Sequence, residues 1–308
     1  MTAMTDPSPQ TLRRLPAFAA AQATTIYRRR IGAIEVTAIS DGYVDLPHDI
    51  WKSPAPRALD DALHAAFLPT GGMRQGLTCY LVNTGRRLIL MDGGAAGEFG
   101  EHFGELPQGL AAAGVAPEAI DLVLVSHLHP DHIGGLFRGT AAAFPKAHLL
   151  VDAAELAFWT STHEQAQAVE IAQPWFDTAR RWQAAWGERI ETFSGERSLG
   201  EGLTIVPLPG HTVGHFGLMI ESEGARLLIA NDLVFHFAIN FQNPDAAMIW
   251  ETDSALAART RRAALDRAAT DRLLVAASHL PFPSFGHVER RGTAFAWAPE
   301  PWQHRAGA

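Results

Sequence analysis

Val123-Leu124-Val125-Ser126-His127-Leu128-His129-Pro130-Asp131-His132-Ile133-Gly134-Gly135 is the stretch on which the reading of this chain turns. An apolar strand, Asp121 to Ser126, gives way abruptly to three imidazoles and a carboxylate within six residues. The cluster therefore sits on a loop at a strand's carboxyl end, where a rigid scaffold can hold reactive side chains. The pattern H-x-H-x-D-H would arise by chance in roughly one or two sequences in a thousand of this composition. Pro130 restricts the loop and Gly134-Gly135 follows it, so the four side chains can splay without helical periodicity. Alternation sends His127 and His129 to one side and Asp131 and His132 to another, which suits two metal ions better than one tetrahedral ion. Three further ligand types stand at strand ends: His211 in Pro209-Gly210-His211-Thr212, Asp232 in Ala230-Asn231-Asp232, and His279 in Ala277-Ser278-His279. Asp232 has two oxygens and could bridge both ions.

Composition narrows the alternatives around that cluster. The 308 residues carry 14 His but a single Cys, Cys79, so no intramolecular disulfide and no Cys-rich zinc module is possible. Cys79 lies in a strand and reads as a buried structural thiol. A formal charge of −8 and the lack of Lys/Arg runs argue against nucleic acid as a partner, since that affinity comes from cations that neutralise phosphates. Arg28-Arg29-Arg30 reads as an exposed strand edge. No stretch approaches the roughly 18 apolar residues of a membrane span, and no membrane partner is expected.

Residues 1–24 read as a flexible Pro/Ala/Thr-rich tail, and 25–305 as a single domain. Thr11-Leu12-Arg13-Arg14-Leu15 followed by Pro16 to Ala23 has the outline of a twin-Arg export signal, but its apolar part is only about seven residues. The expectation is a cytoplasmic protein, with a periplasmic or secreted one if the tail is an export-signal remnant.

Strand-like stretches follow at Tyr27 to Val44, with turns at Gly32 and Asp41-Gly42, and at Leu77 to Asn83 and Arg87 to Asp92. Arg57 to Phe67 has helical period, and Asp152 to Trp186 reads as helical and rich in aromatics. Short strands return at 189–192, 203–208, 216–221 and 225–230. A long helix covers 252–270, then come a strand over 272–277 and a hairpin across 288–297. Tyr80 to Asp92 and Leu218 to Asp232 echo each other as strand, turn and strand ending in Asp. The echo suggests two related halves of an α/β fold stacked as a sandwich with helices outside.

At this point the motifs resemble those of the metallo-β-lactamase superfamily in its dinuclear hydrolase arrangement. The resemblance implies an αβ/βα sandwich of two mixed sheets flanked by helices, with the active site along one edge. It implies that His127, His129 and His211 hold the first metal, that Asp131, His132 and His279 hold the second, and that Asp232 bridges. Asp92 in Met91-Asp92-Gly93-Gly94 matches an Asp that orients a histidine ligand. Within the superfamily, Leu81 to Gly85, Gly93 to Gly97, Ser126 to Gly135 and Ala276 to His287 resemble the methyl parathion hydrolase group, which includes lactonases and aryl esterases. That likeness spans roughly residues 27 to 302 and implies a homodimer.

The resemblance further implies a hydrolase in which two divalent ions generate hydroxide from water at neutral pH, zinc first, with manganese, cobalt and iron as alternatives. Asp131 is a candidate proton donor to an alkoxide leaving group. Phe99, Trp159 and Phe176 fall where the resembling hydrolases line their pocket, which suits a small neutral or apolar ester, lactone or phosphotriester. Trp182 and Trp186 read as core or interface, and His215 and His287 as orienting donors or ordinary hydrogen-bonded residues. Some acyl-homoserine lactonases place a Tyr shortly after the bridging Asp, whereas this chain reads Leu233-Val234-Phe235. The alternatives are a quorum-quenching acyl-homoserine lactonase, an iron-dependent persulfide-handling redox member of the superfamily, and a metal-bound binding module without turnover.

Overall fold

The computed structural model describes residue 22 and residues 24–306, so the expected tail and its twin-Arg pattern lie, but for residues 22 and 24, outside the described residues. Fourteen strands build two seven-stranded sheets. The first sheet runs in the order β1 (Ile26–Ile31), β2 (Ile34–Leu46), β3 (Met73–Asn83), β4 (Leu88–Met91), β5 (Leu122–Leu124), β6 (His148–Asp152) and β7 (Ile190–Phe193). It is antiparallel through β4 and parallel from β4 to β7. The second runs β8 (Arg197–Gly200), β9 (Leu203–Pro207), β10 (Phe216–Ser222), β11 (Ala225–Ile229), β12 (Leu274–Ala276), β13 (Phe285–Arg291) and β14 (Ala294–Pro299), with only β11 and β12 parallel. Both sheets are therefore mixed.

Side-chain alternation explains the layers. From the first sheet Val36, Ala38, Tyr80, Val82, Ile89, Met91 and Leu124 point inward, where they meet Ile205, Phe216, Leu218, Ile220, Ile229 and Phe285 of the second. The alternate residues Ile39, Cys79, Leu81, Leu90, Val123 and Leu149 face outward. They are covered by α2 (Leu106–Ala113), α4 (Ala153–Thr160) and α6 (Gln173–Trp186). Leu228 and Val275 face outward from the second sheet toward Leu265 and Ala268 of a long helix, Ser254–Thr270. Trp182 and Trp186 are buried in the outer layer of the first sheet, as core, and Cys79 is buried in the same layer, its thiol pushed well up by burial. The Arg triplet lies on the edge strand β1, where Arg29 pairs with Glu300 at 2.8 Å.

Three readings shift in the structure. Asp41-Gly42 is a β-bulge inside a continuous β2, not a turn, because the register slips by one residue between Ser40 and Gly42. The segment 152–186 is three helices, α4, α5 (Thr162–Gln167) and α6, since the Ser161 hydroxyl caps a new helix by accepting from the Glu164 N–H. The echo holds for the strands but not for their ends: the left-handed Asp92 (φ 60°) is the first residue past β4, whereas the left-handed Asn231 (φ 46°) and then Asp232 are the second and third past β11, so Asp232 is not in register with Asp92.

Four more helices complete the frame of the site: α1 (Pro56–Ala65), the single turn α3 (Pro130–Ile133), α7 (Phe237–Asn240), and α8, the long Ser254–Thr270 helix. From α8 the Arg261 side chain, 1% exposed, donates to the carbonyls of Leu233, Pro244 and Ala246 and pairs with the buried Glu251 at 2.8 Å. One guanidinium thus fixes the segment 233–251 that follows Asp232. Replacement by Met leaves Glu251 buried and uncompensated, so Arg261→Met should cost about 3–5 kcal/mol of stability. Equilibrium urea unfolding of the two proteins measures it.

Candidate metal centre

Every residue of the cluster lies at the carboxyl end of a strand along one edge of the sandwich. Asp92 follows β4, His127 to His132 follow β5, His211 follows β9, Asp232 follows β11 and His279 follows β12. The topology gathers the seven sequence-selected ligand residues into three overlapping groups whose donor atoms lie within 4.8 Å of one another. These are His127, His129 and His211; His127, His132 and Asp232; and Asp131, His132 and His279. All are buried.

Hydrogen bonds fix which ring nitrogen faces inward. His132 Nδ1 donates to Asp92 Oδ2 at 2.8 Å, and His279 Nδ1 donates to the Gly76 carbonyl at 2.8 Å. Asp92 also accepts from the Ser126 amide at 2.7 Å and the Ser126 hydroxyl at 2.6 Å, which leaves the Ser126 oxygen to accept from His127 Nδ1 at 3.0 Å. In all three rings the proton is held outside and the Nε2 lone pair is turned in, the tautomer a metal ligand needs.

Inside, the donors crowd. His129 Nδ1 lies 3.0 Å from His127 Nε2 and 3.1 Å from His211 Nε2. Those spacings are near the edge, about 3.3 Å, of a tetrahedron with metal–nitrogen bonds of about 2.0–2.1 Å. Asp131 Oδ2 is 3.5 Å from both His132 Nε2 and His279 Nε2. Asp232 spans the two sets: Oδ1 is 3.3 Å from His132 Nε2, while Oδ2 is 3.0 Å from His279 Nε2 and 3.5 Å from His211 Nε2. His132 Nε2 and Asp232 Oδ1 are buried without a hydrogen-bond partner. Imidazole and carboxylate donors converging from all sides on one buried volume fit a pair of divalent cations.

Electrostatics agree. Burial, with neighbouring imidazoles, pushes His127 and His211 well below the ordinary range, and His129 to about 3, so these rings are neutral. Burial also opposes a proton on His132 and His279, but the carboxylates of Asp232 and Asp131 around both rings, with Asp92 beside His132, outweigh it and raise both. Asp232 is held well below the carboxylate range, despite burial, by His279 and His132. The lower half of the site demands positive charge.

Several supporting residues escape sequence reasoning. Glu155 on α4 is fully buried, and its two oxygens accept from the amides of Leu128 at 2.9 Å and Gly214 at 2.8 Å, so it ties together the loops that carry His129 and His211. Burial lifts its carboxyl to about 7. His215 donates from Nδ1 to the Leu208 carbonyl and accepts the Asp232 amide at Nε2, 3.1 Å, so of its two readings the orienting one holds. Among the described residues the His287 side chain bonds only the Leu273 carbonyl, as an ordinary structural histidine does. Gly210 has φ +125°, and a Cβ there would stand 2.2 Å from the Ala257 amide, so only glycine lets the His211 loop press on the first turn of α8. None of these has a spacing signature, because each acts across the fold.

A wall of Val44, Leu46, Phe99, Phe103, Phe235 and Trp250 closes over the centre, with Trp175 beside it. Of the expected pocket residues, Phe99 lines this wall. Trp159 instead backs the site, its ring 5.0 Å edge-on to His129, and Phe176 packs behind Trp159 at 4.6 Å. Those two, Trp159 from α4 and Phe176 from α6, line a neighbouring cavity instead.

The fold and this site together define a class: an αβ/βα sandwich with a dinuclear divalent-metal site at its edge. A profile of the Metallo-beta-lactamase superfamily matches residues 75–279, and the chain belongs to that superfamily. The N-acyl homoserine lactonase AiiB of Agrobacterium fabrum is 30% identical over 124 residues, 38% of this chain and 41% of that protein. The chain thus spans about two fifths of the length of the first curated relatives it matches. Over nearly full length it is similar to the solved hydrolase AbOPH of the beta lactamase superfamily (TM-score 0.86, 28% identity, 92% of this chain and 100% of that one). It is also similar to AidC, a dizinc quorum-quenching lactonase solved with a product homoserine (TM-score 0.85, 25% identity, 91% and 99%).

Asp92 ties Ser126, His127 and His132 into one network, so Asp92→Ala should weaken metal affinity about 10–100-fold. Competition against a chromophoric chelator reads that change directly.

Proposed function

We propose that the chain is a zinc-dependent hydrolase of small neutral esters: lactones, N-acyl homoserine lactones among them, aryl esters and organophosphate triesters. The observation that carries this reading is Asp232 spanning two complete three-residue ligand sets. His127, His129 and His211 would hold one ion, and Asp131, His132 and His279 the other. Two such ions supply a water that ionises at neutral pH and Lewis acidity toward a carbonyl or phosphoryl oxygen.

The chain's own residues set the rest. Asp92 and the Gly76 carbonyl keep the protons of His132 and His279 on the outer nitrogens, and Glu155 holds the loops in place. Asp131, which lines the cavity, is placed to return a proton to an alkoxide leaving group, while a phenolate needs none. Apart from the ligands, the cavity wall is uncharged, which favours neutral, apolar substrates over polyanions. The names of AiiB and AidC support a lactone, and that of AbOPH a hydrolytic reaction. Phe235 stands 4.8 Å from the His279 ring and offers no hydroxyl, so no side chain there assists the ions in polarising a lactone carbonyl.

Rates for N-hexanoyl-homoserine lactone, dihydrocoumarin and paraoxon before and after chelation test this reading. At least one should fall more than about 100-fold in demetallated protein and return with zinc. Full activity without metal, or restoration by iron but not zinc, overturns it.

A further inference from the structure

The cavity over the metal centre is narrow: it measures about 10 Å³, room for roughly one water, whereas a small-molecule site needs some hundreds. Part of its wall, Phe99 and Phe103, rides on the segment 95–105 between β4 and α2. Both feet of that segment rest on one side chain. Asp41 Oδ2 accepts the Ala95 amide at 2.8 Å, and Asp41 Oδ1 accepts the Leu106 amide at 2.8 Å. The Asp41 main-chain carbonyl takes the amides of Gly104 and Glu105 as well. The bulge at Asp41-Gly42 is what turns this carboxylate toward the segment. Gly42 lies so close beneath the segment that a Cβ would stand 2.0 Å from the His102 carbonyl, and Gly42 forms a bridge to Phe103.

We propose that Asp41 is a positioning residue, a staple that closes the aromatic segment 95–105 over the site and so sets which substrates enter. Two observations separate this from a plain structural role. A cavity of about 420 Å³, lined among others by Asp41, Ala96, Gly104 and Leu106, lies against the feet, so apolar packing there is incomplete and the carboxylate carries the hold. The ionised group is also held at a cost. Burial pushes its carboxyl up to about 6, against the pull of the Ala95, Leu106 and Gly104 amides, and Glu105 adds to the rise. A carboxyl raised in this way contributes stability at low pH that is lost as the pH rises through about 6, so at neutral pH its ionised form does not serve stability. Among the described residues no Lys or Arg pairs with it, and the Cys79 thiol on β3 is close enough to feel its charge. The other anchors of the segment are weaker: Glu98 meets Arg181, which is half exposed, and the Tyr43 amide reaches the His102 carbonyl at 3.3 Å. Phe99 itself leans edge-on against Trp175, ring centres 5.8 Å apart, and against Phe103 of its own segment at 6.4 Å.

The proposal rests on the hydrolase reading for its kinetic consequence but not for its structural one. In Asp41→Asn one oxygen remains as acceptor and the amide nitrogen faces a backbone donor, so one foot is released. Hydrogen exchange followed by mass spectrometry should show the Ala95 and Leu106 amides of the native protein protected relative to residues 97–101. In the variant, exchange across 95–106 should quicken at least about tenfold, as expected for one lost bond to an ionised acceptor, with β3 and β6 unchanged. With an aryl ester substrate, KM should change about tenfold while kcat stays within about twofold, and Phe99→Ala should shift KM without altering exchange at Ala95. Native amides at the feet that exchange as fast as the segment's middle overturn the staple, even if the variant does not fold. So does quickened exchange throughout the chain with kcat and KM falling off together. Faster exchange confined to 95–106 with no ester turned over by either protein upholds the staple and counts against the hydrolase reading instead.

Discussion

The structure depends on one electrostatic constraint: three carboxylates, Asp92, Asp131 and Asp232, are buried side by side, and among the described residues no Lys or Arg pairs with them. Their charge has to be met by imidazolium or by metal. The fold is arranged around the second solution. Strand ends from both sheets deliver imidazoles whose outer nitrogens are committed to Asp92, Ser126 and the Gly76 carbonyl, so the inner nitrogens arrive as lone pairs. A sandwich of mixed sheets supplies the edge on which seven ligand side chains from four loops can meet, with Asp92 behind them on a fifth.

The division of labour is consistent along that edge. The strands fix Cα positions, a set of buried polar residues fixes the loops, and apolar side chains close the volume above. Glu155, His215 and Arg261 each join segments far apart in sequence, the first two at the ligand loops and the third at the segment that carries Phe235 and Trp250. A site held this way is precise because no loop depends on its own stiffness.

The ligand set was legible because dense local spacing, H-x-H-x-D-H at the end of an apolar strand, is rare and because His211, Asp232 and His279 each end a short apolar strand. The sandwich was legible from strand periodicity and from the echo between the two hairpins. What could not be read is what acts through space. The offset of the echo depends on backbone angles at Asp92 and Asn231. Trp159 and Phe176 were placed by position, where the resembling hydrolases line their pocket, but the facing of α4 and α6 decides that they back the site instead of lining it. Glu155 in Asp152-Ala153-Ala154-Glu155 looks like any helix-start carboxylate, and Asp41-Gly42 like any turn, until the chain segments that they hold are seen.

Asp232, in contact with both ligand sets, is the residue that would join two metal positions into one centre. Elemental analysis of the purified chain, saturated with zinc and then dialysed, tests it most directly. The native protein should retain two equivalents per chain, and Asp232→Ala no more than one. A native stoichiometry of one or none, or two equivalents retained without Asp232, would contradict the account.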